Sequence, residues 1–382
     1  SKEYNVDTFE IINEPNLTSE LSPKVYAGLL KSVNEKLKPY YPKAKVAGPA
    51  VAEVPVEGDM EYIPQLFKFG GLDNLDVVSV HPYNWRFSPE FNGNIERLEK
   101  LKQLCEQYGK PNIDIWATET GFPTASNNPN IRVPGNDTGV LGQAEWMVRT
   151  FIMNYVEKTM DKMFIYTMND GVDRSNSEAR FGITVGCENQ YEPYAAKPAL
   201  IAVSNASRLL DKAEFKEKIE VGNRETLAYL FKREGKEDMI ALWAAKDRTQ
   251  LALDLGVSEI TVCDMYGNET KRYSENGVYE FVLDGQQTYL TGNFKNFKKV
   301  DSALSYDTGL VYNAVPGDTY NLEISNNSGL PLTAETEGIG SISVVKPVEF
   351  DETGKGKGSF MLTRGQNSEL VIKLYNGDKL YT

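Results

Sequence analysis

The stretch EIINEPN, residues 10–16, decides how we interpret the fold. Two isoleucines end a short apolar run, and an Asn-Glu-Pro corner follows them directly. Ionised side chains are rarely placed where a chain is buried, unless they have a partner or a task. A carboxylate at the end of a buried-looking strand therefore indicates a functional group, and the rest of the sequence has to supply its partner.

Up to about residue 210, short apolar runs alternate with longer amphipathic stretches. The apolar runs predict strands at 6–12, 44–51, 76–80, 113–118 and 162–168. Near-continuous apolar character is typical of strands that helices cover on both faces. The amphipathic stretches predict helices at 23–39, 60–69, 93–109, 138–158 and 195–210. Strands and helices that alternate in this way predict a parallel sheet built from βα units.

The pattern changes after residue 212. Alternating apolar and polar residues are interrupted by turn residues about every ten positions, which is typical of antiparallel β-sandwiches. We predict three domains: an α/β domain at 1–212, a β-sandwich at 213–299, and a second, immunoglobulin-like β-sandwich at 300–382. Because an eight-stranded barrel needs about 250 residues, the five βα units of the first domain form either an open five-stranded sheet or a barrel whose other three units lie upstream.

Composition narrows the available chemistry. The 382 residues carry a formal net charge of −13, which disfavours binding to nucleic-acid phosphates. No run approaches the roughly 20 apolar residues of a membrane span. Three distant cysteines and a single histidine, His81, favour neither a disulfide framework nor a zinc site. We expect no metal or other cofactor, and carboxylates, amides and aromatic rings remain as the reactive and binding groups.

Glu119 is the partner that the sequence offers for Glu14. Each glutamate follows an apolar run and precedes a turn, in EIINEPN and in IWATETGFPT. In a parallel sheet both lie at the carboxyl ends of their strands, where α/β folds place their active sites. Two carboxylates at one rim predict an acid/base and nucleophile pair of the kind that glycosidic bond cleavage needs. The alternative is that each glutamate is a solvated loop residue.

These residues resemble the signatures of the clan A glycoside hydrolases. In that clan, strand four of the barrel ends in Asn-Glu and strand seven ends in Glu. Here INEPN and ATETG are separated by two βα units, SVHPYN closes the strand between them, and FIYTMNDG closes the strand after them. The resemblance covers residues 4 to about 210, and the motif order followed by a β-sandwich is similar to that of β-xylosidase-like members.

The resemblance implies a (β/α)8 barrel of which only strands four to eight are evident, and a retaining mechanism. It implies that Glu14 is the acid/base and Glu119 the nucleophile. It also implies that Asn13 binds the 2-hydroxyl of the sugar, with a strand-end cap as the alternative role. Under this interpretation we expect the first three βα units on the same precursor or on another chain.

Aromatic and polar residues near the strand ends are candidate substrate contacts. His81 and Tyr83 of SVHPYN are each a candidate to touch the nucleophile or a sugar hydroxyl, and Trp85 is a candidate stacking platform. Tyr166 and Asn169 end the last strand, where the clan often has a tryptophan, so the floor of the sugar site departs from the family pattern. We interpret 169–178 as a substrate-facing loop, with a calcium loop as the lesser alternative.

The other tryptophans receive structural roles. We expect Trp116 in the core, Trp146 in the outer helical layer and Trp243 in the core of the first sandwich.

The leading functional hypothesis is a retaining β-glycosidase acting on oligo- or polysaccharides. The alternative is a non-catalytic carbohydrate-binding or scaffold protein with the same barrel. We expect a carbohydrate substrate, no nucleic-acid or membrane partner, and an extracellular or cell-surface location, with a cytoplasmic one as the alternative. The sugar, its linkage, and exo or endo action are not specified by these motifs.

Overall fold

The computed structural model describes residues 6–85, 87–126, 139–173, 176–187, 193–306, 315–363 and 368–382. It divides into two compact units, Ser1–Arg208 and Leu209–Thr382. None of the helices in these described ranges is both long enough and apolar enough to cross a lipid bilayer.

The first unit contains a five-stranded parallel sheet with sequential strand order. Its strands are β1 Thr8–Glu10, β2 Lys45–Ala52, β3 Val77–His81, β4 Asp114–Thr120 and β5 Lys162–Ile165. The helices that alternate with them are α1 Pro23–Leu37, α2 Tyr62–Lys68, α3 Asn94–Gln107, α4 Val140–Glu157 and α5 Pro198–Leu210. Three short 3-10 helices occupy Pro15–Leu17, Leu72–Asn74 and Ser177–Arg180. The predicted parallel sheet with its alternating helices is confirmed.

Local sequence explains most of these elements. β3 is buried along its whole length, as expected for a strand covered on both faces. α1 starts at Pro23, whose ring fixes a helical φ and whose missing N–H is not needed in the first turn. Gly109, just beyond α3, has φ +84°, the left-handed conformation that commonly ends helices. The main core lies where α1, α2 and α3 pack on β2 and β3, around residues such as Leu30, Leu66, Val78 and Leu101.

Two predicted strands are shorter than expected, and both end at the same edge of the sheet. β1 stops at Glu10 because Ile12 turns into the left-handed region with φ +63°. β5 stops at Ile165 because the following residues pair with another segment. Thr167 N donates to Phe181 O at 3.3 Å, and Thr184 N donates to Met168 O at 2.9 Å. The apolar run at 162–168 thus contains a strand and a loop segment.

The second unit is built from antiparallel strands in four sheets. A six-stranded sheet (order β11-β10-β13-β8-β7-β6) and a three-stranded sheet (β12-β9-β14) share one apolar core that includes Leu230, Leu242, Leu253 and Phe281. These strands are β6 Ala213–Lys218, β7 Thr226–Arg233, β8 Asp238–Ala244, β9 Thr249–Asp254, β10 Glu259–Cys263, β11 Glu269–Tyr273, β12 Val278–Leu283, β13 Thr288–Gly292 and β14 Lys298–Val300. Trp243 in β8 is fully buried, as expected.

The remaining strands form a four-stranded sheet (β15-β16-β19-β18) and a three-stranded sheet (β17-β20-β21). Their bounds are β15 Leu304–Tyr306, β16 Thr319–Asn326, β17 Leu332–Ile339, β18 Ile342–Phe350, β19 Lys355–Leu362, β20 Glu369–Asn376 and β21 Lys379–Leu380. A small core around Leu304, Leu332, Leu374 and Tyr381 joins these two sheets. Antiparallel sheets after an α/β unit agree with the sequence, and the division at 299/300 into two sandwiches stays a prediction.

Two buried charged side chains join the two halves of the second unit. The Glu280 carboxylate accepts hydrogen bonds from the backbone N–H groups of Ala303 and Leu304, at 2.8 and 3.0 Å. The Arg272 guanidinium donates to the backbone carbonyls of Glu280 and Tyr381. Both side chains are more than nine-tenths buried. Buried charges are tolerated when hydrogen bonds satisfy them, so this pair fixes the 302–304 segment and Tyr381 against β11 and β12.

We expect Glu280→Ala to destabilise the second unit by about 3 kcal/mol, because two buried amides lose a charged acceptor. Amide hydrogen exchange, followed by mass spectrometry, should speed up in peptides covering 302–306. Glu323→Ala is the control: Glu323 lies 3.4 Å from Lys357 in an exposed pair, and such pairs contribute little. Equal losses of stability in the two variants would contradict the proposed role of Glu280 in fixing the 302–304 segment.

Candidate active site

Because all five strands of the sheet are parallel, their carboxyl ends lie at one edge of the first unit. Glu14 follows β1, His81 ends β3, Glu119 is the second-last residue of β4, and Tyr166 follows β5. This is the edge at which open and closed α/β sheets bind their ligands.

An irregularity in β2 positions Glu14. The register of β2 against β3 shifts between Pro49 and Val51, and Ala50 has φ +50°. Ala50 N donates to the buried Ser79 hydroxyl at 3.1 Å, while Ala50 O accepts from Glu14 N at 3.0 Å. Glu14 itself is left-handed, with φ +46°. Non-glycine residues in this conformation persist only where their surroundings hold them, and they cluster at functional sites.

Asn16 fixes the segment after Glu14 to the end of β2. Its side-chain amide donates to Ala52 O at 3.1 Å and accepts from Ala52 N at 3.0 Å. These two hydrogen bonds satisfy the backbone N–H and C=O of Ala52, so no neighbouring strand has to pair with them. No sequence pattern predicted this role, although an asparagine two residues after a strand-end glutamate is a polar group free to cap a neighbouring strand.

His81 lies between the two glutamates and is completely buried. Its Nδ1 is 3.0 Å from Glu14 Oε1 and 3.7 Å from Glu119 Oε2. Its Nε2 is buried with no hydrogen-bond partner in the described part of the chain. A buried N–H without an acceptor costs more than a bare lone pair, so the proton belongs on Nδ1, where it is donated to Glu14.

The surroundings of Glu119 shift its pKa upwards. Burial of its side chain and the nearby charge of Glu14 raise the pKa of Glu119, while His81 and the Tyr83 hydroxyl act to lower it. Tyr83 donates to Glu119 Oε2 at 3.3 Å. One oxygen of each glutamate and a ring nitrogen of His81 all lie within 4.8 Å of one another. The nearby charge of Glu14 therefore favours the protonated form of Glu119.

An aromatic cluster adjoins the glutamates. Tyr83 contacts Trp85, Tyr166 and Phe181, with ring centroids 5.3, 6.5 and 5.9 Å apart. Trp85 Nε1 donates to Gly121 O at 3.4 Å. Gly121 also passes so close to Tyr166 O that a Cβ would lie 2.1 Å from it, so only glycine fits there. Apolar rings beside hydrogen-bonding groups suit the C–H faces of a ligand that is otherwise polar.

The structure brings Glu14, His81, Tyr83 and Glu119 into direct contact and places Trp85 and Tyr166 beside them. It does not bring Asn13 or Asn169 into this network. Asn13 is exposed. The Asn169 side chain accepts a hydrogen bond from the Thr184 hydroxyl at 2.8 Å.

Asp170 of the 169–178 loop forms a buried ion pair that no sequence pattern predicted. Lys197 Nζ lies 2.6 Å from Asp170 Oδ1, and both side chains are more than nine-tenths buried. Asp170 is thus neutralised by a lysine, which disfavours the calcium alternative. Residues 174 and 175 of this loop lie outside the described residues.

Of the other tryptophans, Trp116 is buried beside Ala47 and Val77, as expected for a core residue. Trp146 on α4 is partly buried and contacts Phe122 edge-on, which fits the outer layer.

The second unit contains an open groove of about 760 Å³. Its acidic and amide groups bond to one another, as Asn296 does to Asp254 at 2.9 Å. No aromatic ring is among the described residues that line it. The groove therefore lacks a stacking surface, and the catalytic candidates all lie in the first unit.

The family model described as "Glycosyl hydrolase catalytic core" matches residues 5–172. A family 39 glycoside hydrolase from Bacteroides cellulosilyticus WH2 superposes with a TM-score of 0.61 at 23% identity, over 74% of this chain and 57% of that one. A β-porphyranase of glycoside hydrolase family 86 from Bacteroides plebeius superposes with a TM-score of 0.52 at 14% identity, over 97% of this chain and 79% of that one. A search of curated proteins gave no match.

The parallel sheet, the matched family model and these structural neighbours define a clan A glycoside hydrolase fold. The resemblance stated from the sequence is confirmed at this level. The chain spans just over half the length of the family 39 enzyme.

We expect Asn16→Ala to loosen the segment that carries Glu14, because both polar groups of Ala52 lose their partner. The free energy of unfolding should fall by about 1–2 kcal/mol, measured by urea denaturation. Thr18→Ala is the control, since the Thr18 hydroxyl only accepts an exposed hydrogen bond from Glu20 N. A loss no greater than that of the control would refute the role of Asn16.

Proposed function

We propose that the protein is a retaining β-glycosidase that cleaves oligo- or polysaccharides, with Glu14 as acid/base and Glu119 as nucleophile. The observation that supports this proposal is the approach of the two carboxylates, which have oxygens within 4.8 Å of each other at the rim of the sheet. Retaining enzymes hold their two carboxyl groups about 5–5.5 Å apart, whereas inverting enzymes need about 6.5–9.5 Å to admit a water molecule.

In the first step, the Glu119 carboxylate attacks the anomeric carbon and the glycosidic C–O bond breaks. Glu14, in its protonated form, gives its proton to the departing oxygen. A glycosyl ester of Glu119 results. In the second step, the ionised Glu14 takes a proton from water, whose oxygen displaces Glu119 from the anomeric carbon. The two inversions restore the original configuration.

Neighbouring groups support these roles. The Tyr83 hydroxyl donates to Glu119, and a donor to the charged form of a carboxylate favours ionisation. The Nδ1–H of His81 reaches Glu14 and orients it. Because His81 is buried and ends β3, it ties the acid/base to the rigid sheet and not to a loop.

We further propose that Trp85 and Tyr166 pack against the sugar and that Asn13 binds its 2-hydroxyl. The ring cluster around Tyr83 supports the first part. The exposed position of Asn13, one residue before Glu14, leaves its amide available for a substrate. Asn169, whose oxygen already accepts from Thr184, is the weakest of the proposed contacts.

We expect Glu119→Gln to abolish turnover of aryl β-glycosides, because the amide cannot form the glycosyl ester. Glu14→Gln should slow substrates with poor leaving groups about 10²–10⁴-fold, since proton transfer contributes that much. Substrates with an acidic phenol as leaving group need no proton, so their first step should be nearly unaffected. Steady-state and burst kinetics of the full-length protein measure both effects.

Azide distinguishes the two roles by product stereochemistry. With Glu14→Ala, azide should attack the glycosyl ester and give a β-glycosyl azide. With Glu119→Ala, it should take the place of the nucleophile and give the α-azide. The opposite pairing would reverse the assignments. Wild-type protein that binds oligosaccharides but has the same turnover as both variants would instead be a non-catalytic carbohydrate-binding protein.

The pH dependence of kcat/KM tests the environment of Glu119. The nucleophile must be ionised to attack. Because the pKa of Glu119 is raised, the fall of kcat/KM towards acid pH should be centred above pH 4.5, the ordinary pKa of a glutamate. Tyr83→Phe removes a hydrogen bond that lowers this pKa, so the acid limb should move to higher pH. Tyr166→Phe makes the same change at a neighbouring ring and should leave the limb in place. A shift to lower pH in Tyr83→Phe would contradict the proposed contact.

A further inference from the structure

Glu14, His81 and Glu119 form a cluster whose chemistry goes beyond general acid/base work. They are the one group of three metal-ligating side chains found among the described residues. One imidazole nitrogen faces two carboxylate oxygens, with Nδ1 of His81 at 3.0 Å from Glu14 and 3.7 Å from Glu119. We propose that this cluster binds a divalent transition-metal ion, with Zn²⁺ as the type case, and that the bound ion reversibly inhibits the enzyme.

The distances match a tetrahedral ion. Zn²⁺ binds nitrogen and carboxylate oxygen at about 2.0–2.2 Å, which sets neighbouring ligand atoms about 3.4 Å apart. The two nitrogen–oxygen distances, 3.0 and 3.7 Å, lie on either side of that value. The two carboxylate oxygens lie within 4.8 Å of each other and must approach further. Both glutamate side chains are about a quarter exposed, so small rotations bring them together, while the buried His81 stays fixed.

The donor set selects the class of metal. Ca²⁺ needs six to eight oxygens and Mg²⁺ an octahedron of oxygens, and neither prefers imidazole. One imidazole and two carboxylates suit Zn²⁺, Cu²⁺, Ni²⁺ or Co²⁺. Three protein ligands leave a fourth position, which water or a sugar hydroxyl fills.

The surroundings of His81 indicate reversible binding and not a resident cofactor. A metal on Nδ1 places the ring proton on Nε2, which is buried and has no acceptor among the described residues. Metal-binding histidines usually donate that proton to a partner, and loss of such a partner costs about 10–100-fold in affinity. The site therefore binds the ion more weakly than a structural zinc site does.

Inhibition follows from the ligands themselves and rests on the proposed function. An ion bound to both carboxylates withholds Glu119 from attack and Glu14 from proton transfer. Zn²⁺ and glycoside then compete for the free protein. Binding of the ion, in contrast to inhibition, depends only on the arrangement of Glu14, His81 and Glu119 and not on catalytic activity.

The test measures Zn²⁺ and Co²⁺ binding directly on this 382-residue chain, made without a polyhistidine tag. The sequence has a single histidine, so any imidazole signature in the absorption of Co²⁺ or the electron paramagnetic resonance of Cu²⁺ reports His81. Cys187 is exposed and is the competing ligand, so every sample carries Cys187→Ser. Cys105 and Cys263 are buried.

We expect one Zn²⁺ per chain by calorimetry, and at least about tenfold weaker binding in each of Glu14→Gln and Glu119→Gln. These substitutions keep the side-chain shape at partly exposed positions. Glu178→Gln removes a nearby charge outside the cluster and should bind like the parent. Absence of binding in the parent, or less than a tenfold loss in either glutamine variant, overturns the proposal.

The two proposals fail separately. Zn²⁺ that binds this cluster in a protein without glycosidase activity leaves the metal site standing and removes the proposed function. An active glycosidase that binds no Zn²⁺ at the cluster supports the proposed function and overturns the metal site. In an active enzyme, Zn²⁺ should raise KM for aryl glycosides without lowering kcat, and a chelator should restore the original KM.

Discussion

The contact of His81 Nδ1 with the two glutamates joins the ends of three strands. Glu14 follows β1, His81 ends β3 and Glu119 lies in β4, so a single buried ring lies within 3.7 Å of both carboxylates. His81 is completely enclosed at the end of β3, so its ring is held by the sheet. The geometry on which both the proposed glycosidase reaction and the proposed metal inhibition depend is therefore set by the sheet.

Around this contact the backbone adopts conformations that cost energy and are held by specific partners. Ile12, Glu14 and Ala50 all have positive φ, and Ala50 sits between Glu14 and the Ser79 hydroxyl. Strained backbone conformations concentrated at one edge of a regular sheet are typical of functional sites. The rest of the fold is stable enough to offset their cost. Burial and the nearby charge of Glu14 raise the pKa of Glu119.

Sequence patterns were sufficient for the parallel sheet, its helices and the pairing of Glu14 with Glu119. Near-continuous apolar runs such as VVSV are typical of strands buried on both faces, and a parallel sheet then brings the ends of its strands to one edge. The patterns were insufficient at the strand ends. The run at 162–168 is mostly apolar, yet it leaves the sheet after Ile165 because Phe181 and Thr184 offer competing backbone partners. The Asp170–Lys197 pair and the Asn16 clamp were missed for the same reason, since their partners are distant in the sequence.

By itself the sequence determined which residues stand at the ends of buried strands, because apolar periodicity is a local property of the chain. Only the tertiary structure decided which of those residues touch. It placed His81 between the carboxylates, directed Tyr83 to Glu119, and left Asn13 exposed beside them. Distances of a few ångströms depend on the β2 irregularity and on side-chain packing across strands, and both arise from contacts between residues that are far apart in the chain.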